Sequence, residues 1–201
     1  MLSVNMGSLW GDDIEQIIKG ISEAAVNIKK FIESDEETVE LYCDLFGDIE
    51  AVCLFWTGNT YVGSRKDEKL ENAFQDFFQA FMKLLLLMKK SEIDVVKNGA
   101  SEFLYRGDAY RYLGKNKPFN GTVKPEYNNI YVSWSKEPKN HYFESKLYGT
   151  MTWMSCTIPE PLYGIDIDAL GYSRADEKEV VFPTIKECIN EIKFIWEESN
   201  E

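Results

Sequence analysis

The first half of the chain is written in steps of three and four. Ile14, Ile17, Ile18, Ile21, Ala25, Ile28 and Ile32 recur at helical spacing with Glu and Lys between them, and Asp12 or Asp13 stands where a helix cap is wanted. This predicts an amphipathic helix from residue 13 to about Glu33. Asp35, Glu36 and Glu37 supply the acidic first turn of a second helix. Val39, Tyr42, Cys43, Phe46 and Ile49 carry its apolar stripe, which extends toward Val52 and Cys53. The stretch Phe55 to Gly63, with two glycines and an Asn, reads as a loop with aromatic anchors. A third helix is predicted from Lys69 to Lys90, with Leu70, Phe74, Phe77, Phe78, Phe81, Leu84, Leu85 and Met88 on one wide face. These faces read as core and scaffold.

At Ser101 the period changes from 3.6 to 2. Strands are predicted at 102–106, 129–135, 150–158, 163–168 and 177–182, with residues 109 to 125 as a loop containing Gly114, Pro118, Gly121 and Pro125. From Thr184 onward, Ile185, Cys188, Ile189, Ile192, Ile195 and Trp196 return to helical spacing and predict a C-terminal helix. The expected class is α+β: an N-terminal helical lobe packed on a compact, largely antiparallel or mixed β-sheet core, with a helix at the end. The whole chain, 1–201, reads as a single domain, with the helical lobe at 1–95 and the β-rich core at 96–201. The one plausible seam is Lys90 to Ala100.

Composition narrows the choice of partners. Apolar residues make up 44% and aromatics 14% of the 201 residues, enough for a real core. The net charge of -12 disfavours phosphate-driven nucleic-acid binding and adhesion to anionic membranes. Cys43, Cys53, Cys156 and Cys188 have no Cys-x-x-Cys spacing, and His141 is the sole histidine, so no metal site is expected. Met1 to Trp10 lacks the charged and apolar regions of a signal peptide. The longest apolar run, Leu84 to Met88, is too short to span a bilayer. The expected location is the cytoplasm of the producing cell, with delivery into a target or host cell by a signal-less route left open.

Three short pieces carry candidate chemistry. Tyr105-Arg106-Gly107 ends a strand: a planar guanidinium followed by a residue that lets backbone approach a ligand. Ser133-Trp134-Ser135 puts two hydroxyls on one face of a strand and Trp134 on the other. Glu177-Lys178-Glu179 begins the run that ends in Val-Val-Phe-Pro183 and sets two carboxylates on one face. Like charges side by side repel, so such a pair contributes nothing to a structural strand. Each piece alone has a bland reading, as a surface ion pair, a polar strand face or a solvated edge.

Taken together and in this order, Arg106, Ser133-x-Ser135 and Glu177-x-Glu179 resemble the R-S-E class of mono-ADP-ribosyltransferases. The stretch Phe55 to Tyr61 and the helix before Arg106 are similar to that family's helical lobe, and the likeness runs from about Ala51 to Pro183. The resemblance implies the family's fold and NAD as a substrate, with no metal. It implies that Arg106 holds the NAD phosphates and ribose and that the Gly107 backbone faces the nicotinamide carboxamide. Ser133 would orient Glu179, with Ser135 supporting the strand. Glu179 would bind the ribose 2′-hydroxyl and stabilise the oxocarbenium as nicotinamide leaves, a charge that develops mainly in the transition state. Tyr172, in the turn Gly171 to Asp176, would touch the acceptor, and Tyr142 or Phe143 would stack on nicotinamide or else belong to the core. Glu177, two residues before the central acid, implies protein arginine as acceptor, because a guanidinium pairs bidentately with a carboxylate. In this chain Trp134 stands where the family usually has Thr.

Two other readings are carried alongside. One keeps the chemistry but makes a nucleic-acid base the acceptor, on the strength of Arg106, Arg111, Lys115, Lys117 and Lys124 in one stretch. The other is a non-catalytic NAD-binding or interaction module. A neutralising partner protein is a further expected partner of a toxin-like or phage-effector-like enzyme. The helix at 13–33 could serve that contact or the scaffold.

Overall fold

The computed structural model describes residues 14–34, 38–57, 67–116, 127–138, 150–171 and 178–195. The chain divides into two compact units, Met1–Phe103 and Leu104–Glu201.

The first unit contains α1 (Ile14–Glu33), α2 (Val39–Thr57), α3 (Glu68–Met88) and α4 (Asp94–Phe103). On α1 the buried positions are Ile17, Ile21, Ala24, Ala25, Ile28 and Phe31, the three-and-four spacing read above. That stripe packs along α3, whose own buried face includes Phe74, Phe77, Phe78 and Phe81. Trp56 of α2 meets Phe74 and Phe78 edge-on, with ring centroids 4.9 and 4.8 Å apart. Lys29 of α1 pairs with Asp76 of α3 at the margin of this contact. Asp67 caps α3, its carboxylate accepting from Lys69 N at 2.9 Å and Leu70 N at 3.1 Å. Two expectations change here. Helix α2 runs through Thr57, into the predicted loop, whose remainder lies outside the described residues. The supposed seam at Lys90 to Ala100 is largely α4, anchored by buried Val96 and Ala100 at a four-residue step. Helix therefore persists to Phe103, two residues into the predicted first strand.

The second unit contains a curled seven-stranded sheet in which every pairing is antiparallel. Its strands are β1 (Leu104–Tyr105), β2 (Gly107–Asn116), β3 (Tyr131–Ser135), β4 (Thr150–Ile158), β5 (Gly164–Asp166), β6 (Glu179–Pro183) and β7 (Ile189–Ile195). Their order is β1-β5-β6-β3-β2-β4-β7. One residue, Arg106, separates β1 from β2 in the chain, yet the two strands stand four places apart in the sheet. The sheet must curl back on itself for that connection to exist. One face of the curl is apolar and closed: Ala109, Trp134, Met154, Cys156, Ile158, Val180, Phe182 and Cys188 form its core. The Trp134 indole donates to Phe182 O at 2.9 Å, so its polar atom is satisfied inside that core.

The sheet is antiparallel, one of the two arrangements expected, and it corrects two other expectations. Residues 107–116 form β2, inside the sheet, and from Ala109 onward they fall where a loop was expected. The C-terminal helix is instead the strand β7. Its spacing misleads because of a bulge: Ile189 pairs with Cys156 and Glu191 with Ser155, which leaves Asn190 unpaired. The extra residue sets Ile192 opposite the core residue Met154, although Ile192 itself stays 38% exposed. Two isoleucines three apart thus share a strand face, a pattern that otherwise signals a helix.

Candidate functional site

The site is built on the face of the sheet opposite that core. Ser135 pairs with Glu179, Trp134 with Val180 and Ser133 with Val181. Trp134 and Val180 point into the core, so alternation turns Ser133, Ser135, Glu179 and Val181 the other way. Glu179 is 3% exposed and Ser135 is 2% exposed. A buried carboxylate is costly unless polar groups receive it. The directly opposed residue is Ser135, whose Oγ accepts from Glu137 N at 3.1 Å. Ser133 stands one diagonal step away, within longer reach across the pair.

The polar row does not stop there. Ser135 is paired with Tyr110 of β2, Tyr110 with Ser155 of β4, and Ser155 with Glu191 of β7. Glu179, Ser135, Tyr110, Ser155 and Glu191 therefore form one line of polar side chains across five adjacent strands. Arg111 braces it from the next position by donating to Ser133 O at 3.0 Å.

Arg106 sits at the joint between β1 and β2. Its neighbour Tyr105 packs on the core, and Gly107 is paired with core residue Ile158. Both registers place Arg106 on the same face as Glu179. Four residues and two strands separate them by either route. The guanidinium lies 3.9 Å over the Tyr163 ring. Its Nε donates to Leu162 O at 3.2 Å, and Nη1 pairs with exposed Glu160. Gly107 has φ of +134°, and a Cβ there would meet Tyr105 Oη at 3.1 Å. Tyr105 Oη donates to Asp108 O at 2.7 Å, closing over the glycine. Burial raises the Tyr105 phenol above its usual pKa. Glycine is required at this joint because the strand changes direction there at a φ that a side chain resists.

A charged cluster stands at the other end, where β6 begins. Lys136 Nζ donates to both oxygens of Asp166 at 3.0 and 2.9 Å and to Asp168 at 3.0 Å. Lys178 Nζ approaches Asp168 at 3.6 Å. Burial works against the Lys136 charge, but Asp166 and Asp168 outweigh it and raise the ammonium pKa. Lys178 itself has φ of +45°, a strained conformation for a side-chain-bearing residue, immediately before Glu179.

The structure thus gathers Ser133, Ser135 and Glu179 on adjacent strands and places Arg106 and Gly107 at the near end of the same face. Glu177, Tyr172, Tyr142 and Phe143 lie outside the described residues. Tyr110, Arg111, Lys136 and Asp166 belong to or support the site and were not singled out from the sequence for it. Alternating Tyr110 and Tyr112 was the available signal for β2, whereas nothing local marks Lys136. Among the described residues no three His, Cys, Asp or Glu side chains are grouped to hold a metal, and no helix is long and apolar enough to cross a membrane. No protein-family model, no curated protein and no solved structure matches the chain.

Proposed function

We propose that the chain is a mono-ADP-ribosyltransferase, an enzyme that moves ADP-ribose from NAD to an acceptor, with a protein arginine as that acceptor. The observation that carries this reading is a buried carboxylate, Glu179, opposed by Ser135, on the sheet face that also presents Arg106. An acid buried beside Ser135, with Ser133 one diagonal step away and a guanidinium on the same face, supports a catalytic use for Glu179.

In this reading Arg106 takes the pyrophosphate end of NAD, and its fork suits phosphate oxygens. Glu179 receives the 2′-hydroxyl of the nicotinamide ribose and faces the positive charge that grows at C1′. The bond from C1′ to the nicotinamide nitrogen breaks, and nicotinamide leaves with the bonding pair. A guanidinium nitrogen of the acceptor bonds to C1′ and gives up its proton to Glu177, which passes it to water. Carboxylates serve a similar cation in glycoside cleavage.

The test is label transfer from NAD to proteins of a cell lysate. Glu179→Gln keeps the size of the side chain and removes its charge. Transfer is expected to fall by about 10²–10³-fold, the usual cost of removing one preorganised electrostatic group, while circular dichroism stays that of the parent. Equal transfer by both proteins overturns the role of Glu179. Label that survives protease and disappears with nuclease overturns the protein acceptor.

A further inference from the structure

The Lys136 cluster is connected to the site by backbone as well as by charge. Lys136 N donates to Lys178 O at 2.8 Å. The same residue's ammonium holds Asp166 and Asp168. Between those two acids lies Ile167, whose N–H donates to Glu179 O at 3.1 Å. Asp166 also receives Ala169 N at 3.2 Å, which fixes the 3-10 turn Asp168–Leu170 after β5. The peptides on both sides of Glu179 are therefore tied to one residue: the one before it to the Lys136 N–H, and the one after it, through Ile167, to the acids that the Lys136 ammonium holds. The ion cluster is largely shielded: the side chains of Lys136, Asp166 and Asp168 are 22%, 13% and 20% exposed.

From this geometry we infer that Lys136 is a positioning residue for Glu179. It holds the end of β5 and the left-handed Lys178 so that the Glu179 carboxylate leaves the strand at a fixed direction and depth. Lys136 lies on the opposite face by alternation, since it follows Trp134 by two, so it does not touch a ligand on the Glu179 face. Its effect passes through the peptides at 167 and 178. A carboxylate that stabilises a developing cation must be held to within a fraction of an ångström, and the surrounding shell supplies that precision. Nothing in the roles assigned to Arg106, Ser133, Ser135 or Glu179 requires Lys136.

The catalytic part of this inference rests on the ADP-ribosyltransferase reading, so the experiment has a structural arm and a kinetic arm. Lys136→Arg keeps the charge but replaces a compact ammonium with a wider planar fork that cannot take the same position between the two carboxylates. Lys136→Met with Asp166→Asn removes both charges and avoids leaving a shielded acid unpaired. Amide hydrogen exchange is read on both variants. The Ile167 amide is expected to lose protection by at least about tenfold, while core amides such as Val180 keep theirs. In the kinetic arm, nicotinamide release from NAD is measured without an acceptor. The turnover number is expected to fall by about tenfold or more in both variants with the KM for NAD within twofold, because Arg106 is untouched. Unchanged Ile167 protection overturns the positioning role. So does a folded variant with parental turnover, or one in which only KM rises. If the parent neither releases nicotinamide nor transfers label to lysate proteins, the enzymatic reading fails on its own, and the exchange arm still decides whether Lys136 holds the Glu179 peptide.

Discussion

Gly164→Ala adds a methyl group where the sheet has no room. An ideal Cβ at Gly164 lies 2.5 Å from Val180 Cγ1, 3.0 Å from Ile158 Cδ1 and 3.5 Å from Val181 O. Carbon atoms in good contact sit about 3.5–4.0 Å apart, so the new methyl overlaps Val180 by about 1 Å. Val180 is fully buried opposite Trp134, and a β-branched side chain is restricted at χ1, so it has little freedom to turn aside. Overpacking of this kind costs about 1–3 kcal/mol, against about 0.4–1 kcal/mol recovered from the smaller entropy of the unfolded chain. The net expectation is a loss of about 1–2 kcal/mol. For a unit of this size that lowers the melting midpoint by about 5–15 °C. The assay is calorimetry, with urea unfolding followed by circular dichroism. Val180→Ala alone also destabilises, by emptying core space. In the double variant, however, the new methyl occupies the vacated volume, so the two losses should fall short of their sum by about 1–2 kcal/mol. Additivity within about 0.3 kcal/mol, or a more stable Gly164→Ala, refutes the close contact. Val180 follows Glu179 directly, so under the proposed function the single Gly164 variant also loses transferase activity beyond its loss of fold.

Other expectations follow from single contacts. Asp67→Ala removes the cap of α3 and costs about 1 kcal/mol, read as a lower midpoint for the helical unit. Burial, with smaller contributions from Cys188 and Asp108, pushes the Cys156 thiol up to about 12 from 9.0. The folded state therefore keeps a proton that the unfolded state gives up. Stability is full below pH 9 and declines as pH rises from about 9 toward 12, by up to about 4 kcal/mol. Urea midpoints at pH 8, 9.5 and 10.5 should show a shallower decline in Cys156→Ala, and equal slopes exclude this source. Glu160→Gln releases Arg106 from a competing carboxylate. The apparent KM for NAD should fall about two- to fivefold with turnover unchanged, the range expected of an exposed ion pair. A rise in KM would show instead that Glu160 helps to hold the ligand.

Much of the helical unit was legible because its core residues obey one period without interruption. The stripe of α1 and the phenylalanine face of α3 could be read from spacing alone. The sheet was less legible where its strands depart from simple alternation. Residues 107–116 carry two glycines and, at the near end, a polar composition, so β2 looked like a loop although it pairs on both sides. The bulge at Asn190 gave β7 a helical spacing. Within the site, Ser133, Ser135 and Glu179 could be set on one face by counting residues, because strand parity is a local property. That Ser135, and not Ser133, opposes Glu179 depends on the register between two distant strands, which no local pattern encodes. Lys136 was invisible for the same reason: its partners are Asp166 and Asp168, thirty residues and more along the chain.

The two ends of the strand order have a consequence for solubility. An unpaired strand edge is a template on which another chain can add itself, and long flat edges invite fibrous association. Here one edge, β1, is two residues long. The other, β7, is kinked by its unpaired asparagine and bears Glu191 and Lys193 among its isoleucines. Among the described residues, neither edge is a long straight run of backbone. Straightening β7 by deleting Asn190 is expected to open that edge to association through the sheet.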